Sequence, residues 1–454
     1  MGDPAGVFKA YDVRGTYPDQ LDAELCRAIG AAVATFTGAG RMLVVRDMRP
    51  SGVELSHAFS VGARAAGAAV IDLGMASTDF LYFASGTLDA PGVMFTASHN
   101  PANYNGIKFC RSGARPIGRD TGLLEIQRLA VEYLAKAPQG PRGPAPEHLE
   151  LLEAYAAHVR SFVDVGSLRA LKVVADTANG MGGLVAPMVF RPLPFELTVL
   201  YPELDGTFPN HPADPIQEEN LVDLKRAVIE GGADVGLAFD GDADRVFLVD
   251  ERGQSVSGSL TTALVAASML AKHPGATVLY NLICSKVVPE TIAELGGVGV
   301  KTRVGHSYVK AVMAETGAVF GGEHSGHYYF ADNFRADSGI IAAMVVLELM
   351  STSAAPLSAL LAPYRRYADS GEINTEVKDP AAVVERVAER VGGEGAAIER
   401  LDGLSVDHGD WWYNLRPSNT EPLLRLNVEA ASEEACARHV HEVLDLVAEL
   451  TDEG

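Results

Sequence analysis

The sequence predicts an α/β protein: three similar mixed α/β domains followed by a smaller C-terminal α+β domain. Three observations predict it. Short apolar runs alternate with amphipathic helical patterns over most of the chain, a proline- and glycine-rich linker interrupts them at 137–146, and the texture changes after Arg366. A chain of 454 residues also exceeds what one hydrophobic core sustains, so several domains are expected.

Each segment follows from its residues. In the first, MLVVR (42–46), AAVIDLG (68–74) and GVMFTA (92–97) read as strands, while ELCRAIGAAVATF (24–36) and SHAFSVGARAAGA (56–68) read as helices. That alternation is the βαβ pattern of a mostly parallel sheet. The linker APQGPRGPAP (137–146) breaks any helix, and the helical pattern EHLELLEAYAAHVRSFV resumes after it, so a boundary is expected at 148. A second α/β series opens at LKVVADTANGMGG (171–183) and runs through 221–245. A third starts near 253, with a strand-like ATVLYNLIC (276–284) and a helical SYVKAVMAETG (307–317). The last segment passes from EINTEVKDPAAVVERVAERV, a strand and then a helix, to PLLRLNVEA and the helix EEACARHVHEVLDLVAEL. The expected domains are 1–148, 149–252, 253–366 and 367–454. The similar length of the first three hints at repeated architecture, although their sequences show no strong self-similarity.

Composition narrows the class. The chain is 47% hydrophobic and 21% charged, the profile of an ordinary globular protein. A formal net charge of −22 repels nucleic acid and anionic membrane surfaces, so an anionic substrate needs a local positive pocket. Cys26, Cys110, Cys284 and Cys436 lie far apart without a C-x-x-C pair, which points to free thiols in a reducing compartment. No apolar leader pattern and no uncharged run of membrane-spanning length stands in the sequence, so a cytoplasmic location is expected.

GLAFDGDADRVFLVDE sets Asp240, Asp242 and Asp244 at every second position after an apolar strand. An EF-hand would need glycine where Arg245 stands, and helical flanks where these read as strands. Carboxylates about 5 Å apart repel by roughly 3 kcal/mol per pair at an effective dielectric near 20, so the loop calls for a cation. Oxygen ligands without His or Cys favour Mg²⁺. The alternative is a surface turn.

Ser98 ends the strand GVMFT, at the edge where α/β sheets bind ligands, with His99 and Asn100 beside it. A turn at Asn105-Gly106 is expected to return Lys108 to the same place. LRPSNTEPLLR (415–425) gathers Arg416, Ser418, Asn419, Thr420 and Arg425, the donors that a phosphate dianion needs, the alternative being a capped surface turn with solvated arginines. GGEHSGHYYF (321–330) offers Glu323 and Ser325 for neighbouring sugar hydroxyls, with His327 nearby, and its glycines argue against a helical His pair for zinc. His306 and Lys310 in VGHSYVK, and Lys9, Tyr11 and Arg14 in FKAYDVRG, are weaker signals, since a lone His or Arg before a helix is more often a cap or a surface contact than a ligand. DTANGMGGL fails the dinucleotide fingerprint because Val185 stands where its last glycine belongs, and no P-loop occurs.

Together TASHNP (96–101), DGDADR (240–245), GEHSGH (322–327) and RPSNTEP (416–422) resemble the signature loops of the α-D-phosphohexomutase family, in its order and over essentially the whole chain. Within it, the Ser-Gly-His sugar loop and Asn419 look most like the bacterial phosphomannomutases, including those that also take glucose phosphates. The resemblance implies four domains around a central cleft. It implies that Ser98 carries the phosphoryl group and that Asp240, Asp242, Asp244 and a phosphoserine oxygen hold Mg²⁺. Glu323 and Ser325 would then bind sugar hydroxyls, and Arg416, Ser418, Asn419, Thr420 and Arg425 the phosphate that stays. Tyr11, Arg14, Lys108, Arg245, His306 and His327 would line the cleft, with His99, Lys108 and His306 as candidates for proton handling.

The implied reaction interconverts mannose 6-phosphate and mannose 1-phosphate through a sugar 1,6-bisphosphate, which also serves as activator, in a monomer or homodimer that binds neither nucleic acid nor membrane. Phosphoglucomutase and phosphoglucosamine mutase are the rivals within the fold, the second disfavoured by Asn419. A serine-dependent metallophosphatase is the rival outside it and would need a second, His-rich metal cluster. Two departures from the family pattern stand out: Val45 where many members have glycine, and LICSK, in which Lys286 is displaced from the usual lysine position.

Overall fold

The computed structural model describes residues 4–136, 140, 143–392, 396–418 and 423–452. Four sheets organise them. In the first, the central strand Arg41–Arg46 lies between parallel strands Ala69–Met75 and Gly92–Phe95, and Gly92–Phe95 pairs antiparallel with Tyr104–Arg111. Val13–Thr16 and Arg115–Pro116 complete that side, and Glu147–His148 extends the opposite edge beside Ile71 and Asp72.

The second and third sheets repeat this order. Lys172–Asp176 lies between parallel Glu196–Leu200 and Val235–Phe239, followed by antiparallel Val246–Asp250 and Ser255–Val256. Thr277–Asn281 lies between parallel Val298–Thr302 and Phe320–Gly322, followed by antiparallel Tyr328–Phe330 and Ala336–Asp337. In all three, the chain turns from the last parallel strand into the first antiparallel one at the segments 96–103, 240–245 and 323–327. These turns carry Ser98, the three aspartates and the Glu323–His327 group. The hint of repetition is realised in topology even though the sequences show no strong self-similarity.

The fourth sheet is wholly antiparallel, in the order Ala368–Glu376, Leu423–Ala430, Trp411–Pro417, Leu404–Asp407, Ala397–Glu399. Helix Pro380–Val391 starts with proline in its first turn and with the Asp379 carboxylate accepting from Ala382 N, and it buries Val383, Val384, Val387, Ala388 and Val391 on one stripe.

One apolar core runs through the first three units, joining Leu43 and Phe80 to Tyr155, Phe190 and Leu237 and on to Phe320 and Ile341. The fourth unit has its own, around Val387, Leu404, Leu426 and Val447. Polar contacts join the third and fourth units: Lys286 Nζ to Asp407 Oδ1 at 2.7 Å, Lys301 Nζ to Glu399 Oε2 at 2.6 Å, and Lys286 N to Glu429 Oε1 at 2.9 Å. The displaced Lys286 thus serves a domain contact. A cavity of about 830 Å³ opens between the second, third and fourth units, lined in part by Phe247, His324, Glu372 and Glu429.

Three expectations are corrected. Asn105 and Gly106 form no turn; they lie inside the strand Tyr104–Arg111, and the reversal comes earlier, between Phe95 and Tyr104. The strand expected over 276–284 stops at Asn281. The helix expected from 147 begins at Leu152, because Glu147 and His148 are taken up by the first sheet. The four cysteines are buried and free. No single helix among the described residues is long and apolar enough to cross a membrane.

Candidate active site

Ser98 adopts a left-handed backbone conformation, φ +49°, a strained state for a residue with a side chain that costs about 1–3 kcal/mol and persists only where the surroundings enforce it. Its N–H donates to Thr96 Oγ1 at 2.9 Å. The main restraint is Arg49, fully buried, whose guanidinium donates to the carbonyls of Ser98 (2.9 Å), Asn100 (2.6 Å), Pro101 (2.7 Å) and Tyr104 (2.9 Å). Asp47 supplies its counter-charge at 3.3 Å. Gly106 is required by close approach, since a Cβ there would lie 2.3 Å from Val13 O and 2.8 Å from Thr96 O. A Cβ on Gly241 would lie 2.4 Å from Ser98 O, so the serine turn and the acidic turn touch through backbone.

Across that contact the Ser98 hydroxyl donates to Asp240 Oδ2 at 2.7 Å and lies 3.2 Å from His99 Nδ1. Asp240, Asp242 and Asp244 are all buried, with ligand-type oxygens within 4.8 Å of one another. Lys108 reaches Asp242 at 2.7 Å and Asp244 at 2.5 Å, and Arg245 Nε reaches Asp240 at 2.9 Å. Thr78 donates its hydroxyl to Asp242 Oδ2 at 2.6 Å and its N–H to the Asp242 carbonyl at 3.0 Å. Burial, reinforced by the other two aspartates, pushes Asp240 above the usual carboxylate range against the pull of Arg245. Burial acts the same way on Asp242, but the Lys108 ammonium overrides it and holds that group low.

Asp242 Oδ1 and Asp244 Oδ1 remain buried without a hydrogen-bond donor, although His327 Nδ1 stands 3.7 Å from the second as a charge partner. Three desolvated carboxylates with two such orphaned oxygens fit a hard divalent cation. A second acidic group, Asp244, His327 and Asp337, is also compact. There Lys310 already pairs with Asp337 at 2.7 Å and His327 Nδ1 with Asp337 Oδ2 at 2.9 Å, so protein cations supply the balance.

The Glu323–His327 turn is stitched to the acidic loop by an Arg245–His327 backbone bridge. Its Glu323 carboxylate accepts from Asn281 Nδ2 and Gly305 N at 3.1 Å each, and from the Tyr329 hydroxyl at 2.7 Å, while Ser325 is half-buried beside it. Tyr11 stacks edge-on against His306 at 5.6 Å and donates to Val304 O at 3.0 Å. Arg14 donates to Asn100 Oδ1 at 2.7 Å. Burial, with nearby cations, lowers both His99 and His306; His327 resists burial and is raised by Asp244 and Asp337.

In the fourth unit Arg416 and Arg425 face each other across a strand pair, and Ser418 N donates to Leu423 O at 2.8 Å. Arg416 is buried and lies close enough to Tyr11 of the first unit to oppose the rise that burial, Asp402 and Glu323 impose on that phenol. Asn419 and Thr420 lie outside the described residues. The predicted residues therefore gather as three adjoining patches: Ser98 with His99, Lys108, Arg245 and the aspartates; Tyr11 with His306 and Glu323; and the paired arginines.

Sequence reasoning missed Arg49, Thr78, Asp337 and Glu372. Arg49 acts on main-chain carbonyls, which any residues would provide, and Thr78 meets Asp242 from a helix 164 positions away, so neither leaves a local signal.

The fold and the serine–carboxylate centre define a phosphohexomutase-type enzyme, an intramolecular phosphotransferase, and comparison with known proteins supports this. Residues 5–133, 153–253 and 257–367 match Phosphoglucomutase/phosphomannomutase, alpha/beta/alpha domains I, II and III, and 372–446 match the family's C-terminal domain. The chain is 41% identical over 432 residues to the "Phosphohexose mutases" protein of Xanthomonas campestris, covering 94% of this chain and 96% of that one. It is 38% identical over 431 residues to a phosphomannomutase of Escherichia coli, covering 93% and 94%. A solved Phosphoglucomutase/phosphomannomutase family protein from Burkholderia thailandensis superposes with a TM-score of 0.89 at 33% identity, covering 99% and 98%. The chain belongs to the phosphoglucomutase/phosphomannomutase family.

Proposed function

We propose that the protein is a phosphomannomutase that interconverts mannose 6-phosphate and mannose 1-phosphate through phosphorylated Ser98 and a sugar 1,6-bisphosphate. The observation that carries this is the Ser98 hydroxyl 2.7 Å from Asp240, inside a buried carboxylate cluster with two orphaned oxygens. Asp240, Asp242, Asp244 and Ser98 would hold the divalent cation, for which oxygen donors favour Mg²⁺; when bound it would neutralise charge on the transferring phosphoryl group.

The chain's own residues do the rest. Arg49 and the strained turn fix the position of Ser98 at the carboxylate cluster, and positioning of this kind supplies much of such a reaction's rate. The Oγ–P bond breaks as the bond from the sugar oxygen to phosphorus forms; the sugar hydroxyl gives up its proton in the same step, and Oγ takes one up. Of the three candidates for handling it, His99 has the best support, being 3.2 Å from Oγ, with desolvation and the nearby Arg245 and Arg14 holding its imidazole below the usual histidine range. Lys108 is engaged by two aspartates, and His306 packs on Tyr11. Glu323 and Ser325 take the sugar hydroxyls, His327 and Arg14 line the approach, and Arg416, Arg425 and Ser418, with Asn419 and Thr420, take the phosphate not being transferred. The bisphosphate then turns over and returns its other phosphoryl group to Ser98, so added bisphosphate activates dephosphorylated enzyme.

Activity on glucose phosphates is a second reading, favoured because mannose and glucose differ only at C2 while a Glu–Ser pair at the 3- and 4-hydroxyls meets the same geometry in both. Ser98→Ala is expected to abolish turnover while keeping sugar-phosphate binding, and turnover at the wild-type rate in that variant would remove the covalent route. A paired kcat/KM assay of mannose 1-phosphate and glucose 1-phosphate, primed with sugar bisphosphate, decides the preferred hexose.

A further inference from the structure

The two arginines expected to hold the substrate's stationary phosphate share one internal anion. Glu372 reaches Arg416 Nη2 with Oε2 at 2.7 Å and Arg425 Nη1 with Oε1 at 3.2 Å. A carboxylate spanning two guanidinium groups presents the planar, bidentate charge pattern that arginine also offers to phosphate. Arg416 is itself buried, so its charge needs a partner at all times.

The backbone shows how Glu372 gets there. Asp369 pairs with Glu429, but the next paired residue is Glu372, opposite Asn427, so Ser370 and Gly371 together face Val428 in a bulge. Gly371 takes φ +63°, which glycine adopts without strain. Without the bulge, the count from Asp369 would put Glu372 opposite Leu426, on the face that packs the fourth unit's core. The bulge transfers it to the face of Asn427 and Arg425, and Arg425 lies directly opposite Arg416. Glu372 also lines the 830 Å³ cavity and keeps a fifth of its side chain exposed, so it has room to swing aside.

Resting on the phosphate-binding reading of Arg416 and Arg425, we propose that Glu372 is a built-in placeholder for the sugar phosphate. It holds both arginines between ligands, yields to the incoming phosphate, and takes the arginines back when the phosphate leaves. The proposed reaction demands such release in every cycle, because the bisphosphate must let go of the fourth unit by one phosphate and rebind it by the other. A resident carboxylate speeds that exchange at the expense of affinity.

The test is calorimetric titration of mannose 1-phosphate, and separately of inorganic phosphate, into Ser98→Ala and into Ser98→Ala carrying Glu372→Gln or Glu372→Asp, each first checked for a wild-type thermal transition. Glu372→Gln is expected to tighten binding about tenfold, the scale of one lost charged hydrogen bond. In the phosphorylatable enzyme the same change should lower KM and kcat together. Glu372→Asp, too short to span both arginines, should fall between, and it serves as the decisive variant if Glu372→Gln fails the thermal check. Unchanged or weaker binding in the folded variants overturns the proposal and makes Glu372 a mere brace. Arg416→Gln is the separate control: sugar-phosphate binding that survives it unchanged means the phosphate site itself lies elsewhere.

Discussion

At the scale of single residues, the centre is a matter of compensated burial. Lys108 and Arg245 answer part of the charge of Asp240, Asp242 and Asp244, and the donors around them decide which oxygens are left for a cation. Thr78 never meets the metal in this scheme, yet it fixes Asp242 through two hydrogen bonds. Partners of this kind to metal ligands typically carry about 10–100-fold in affinity. Thr78→Val is therefore expected to weaken Mg²⁺ or Mn²⁺ binding by that range, read by titration with activity as a second signal, while the folded content stays that of the wild type. Chelation with EDTA should stop turnover and added Mg²⁺ restore it; activity untouched by exhaustive chelation would contradict the cation's role.

At the scale of elements, the serine turn shows what a sequence reveals and what it hides. Ser98 at the end of GVMFT and the aspartates after Val235–Phe239 were legible, because a short apolar run ending in polar residues marks the ligand edge of an α/β sheet. The Asn105-Gly106 turn was misread: the dipeptide has turn chemistry, but Gly106 serves the approach of Val13 and Thr96 backbone, a tertiary demand that no local pattern expresses. Arg49 was invisible for the same reason. Replacing it with methionine keeps most of the stem's packing but removes four donors from the turn's carbonyls. A loss of about 10²-fold in kcat with little change in KM is expected, as for a displacement near 1 Å at a reacting group. Amide exchange at 98–104 should quicken in the same variant; equal exchange in both proteins would show that the turn holds its own shape.

At the scale of the whole molecule, three units are joined by one apolar core and by a polar knot at Asp79, which accepts from Tyr155 of the second unit at 2.7 Å and from Ser338 of the third. Burial pushes its carboxyl from 3.8 up to about 6. The folded state thus binds this proton more tightly than the unfolded chain. Its contribution is unfavourable above about pH 6 and is relieved as pH falls from there towards 4, by an order of about 3 kcal/mol at most. Urea denaturation at pH 7 and at pH 4.5 should show that relief in the wild type and a smaller difference in Asp79→Asn; identical pH dependence would exclude Asp79 as its source. The common strand order of the first three sheets has a further bearing, on how such an enzyme diversifies. On the proposed reading, nucleophile, cation cradle and sugar contacts fall on corresponding turns of three like-ordered sheets packed on one core, so inheritance can rewrite one turn without altering the strand order that carries the other two.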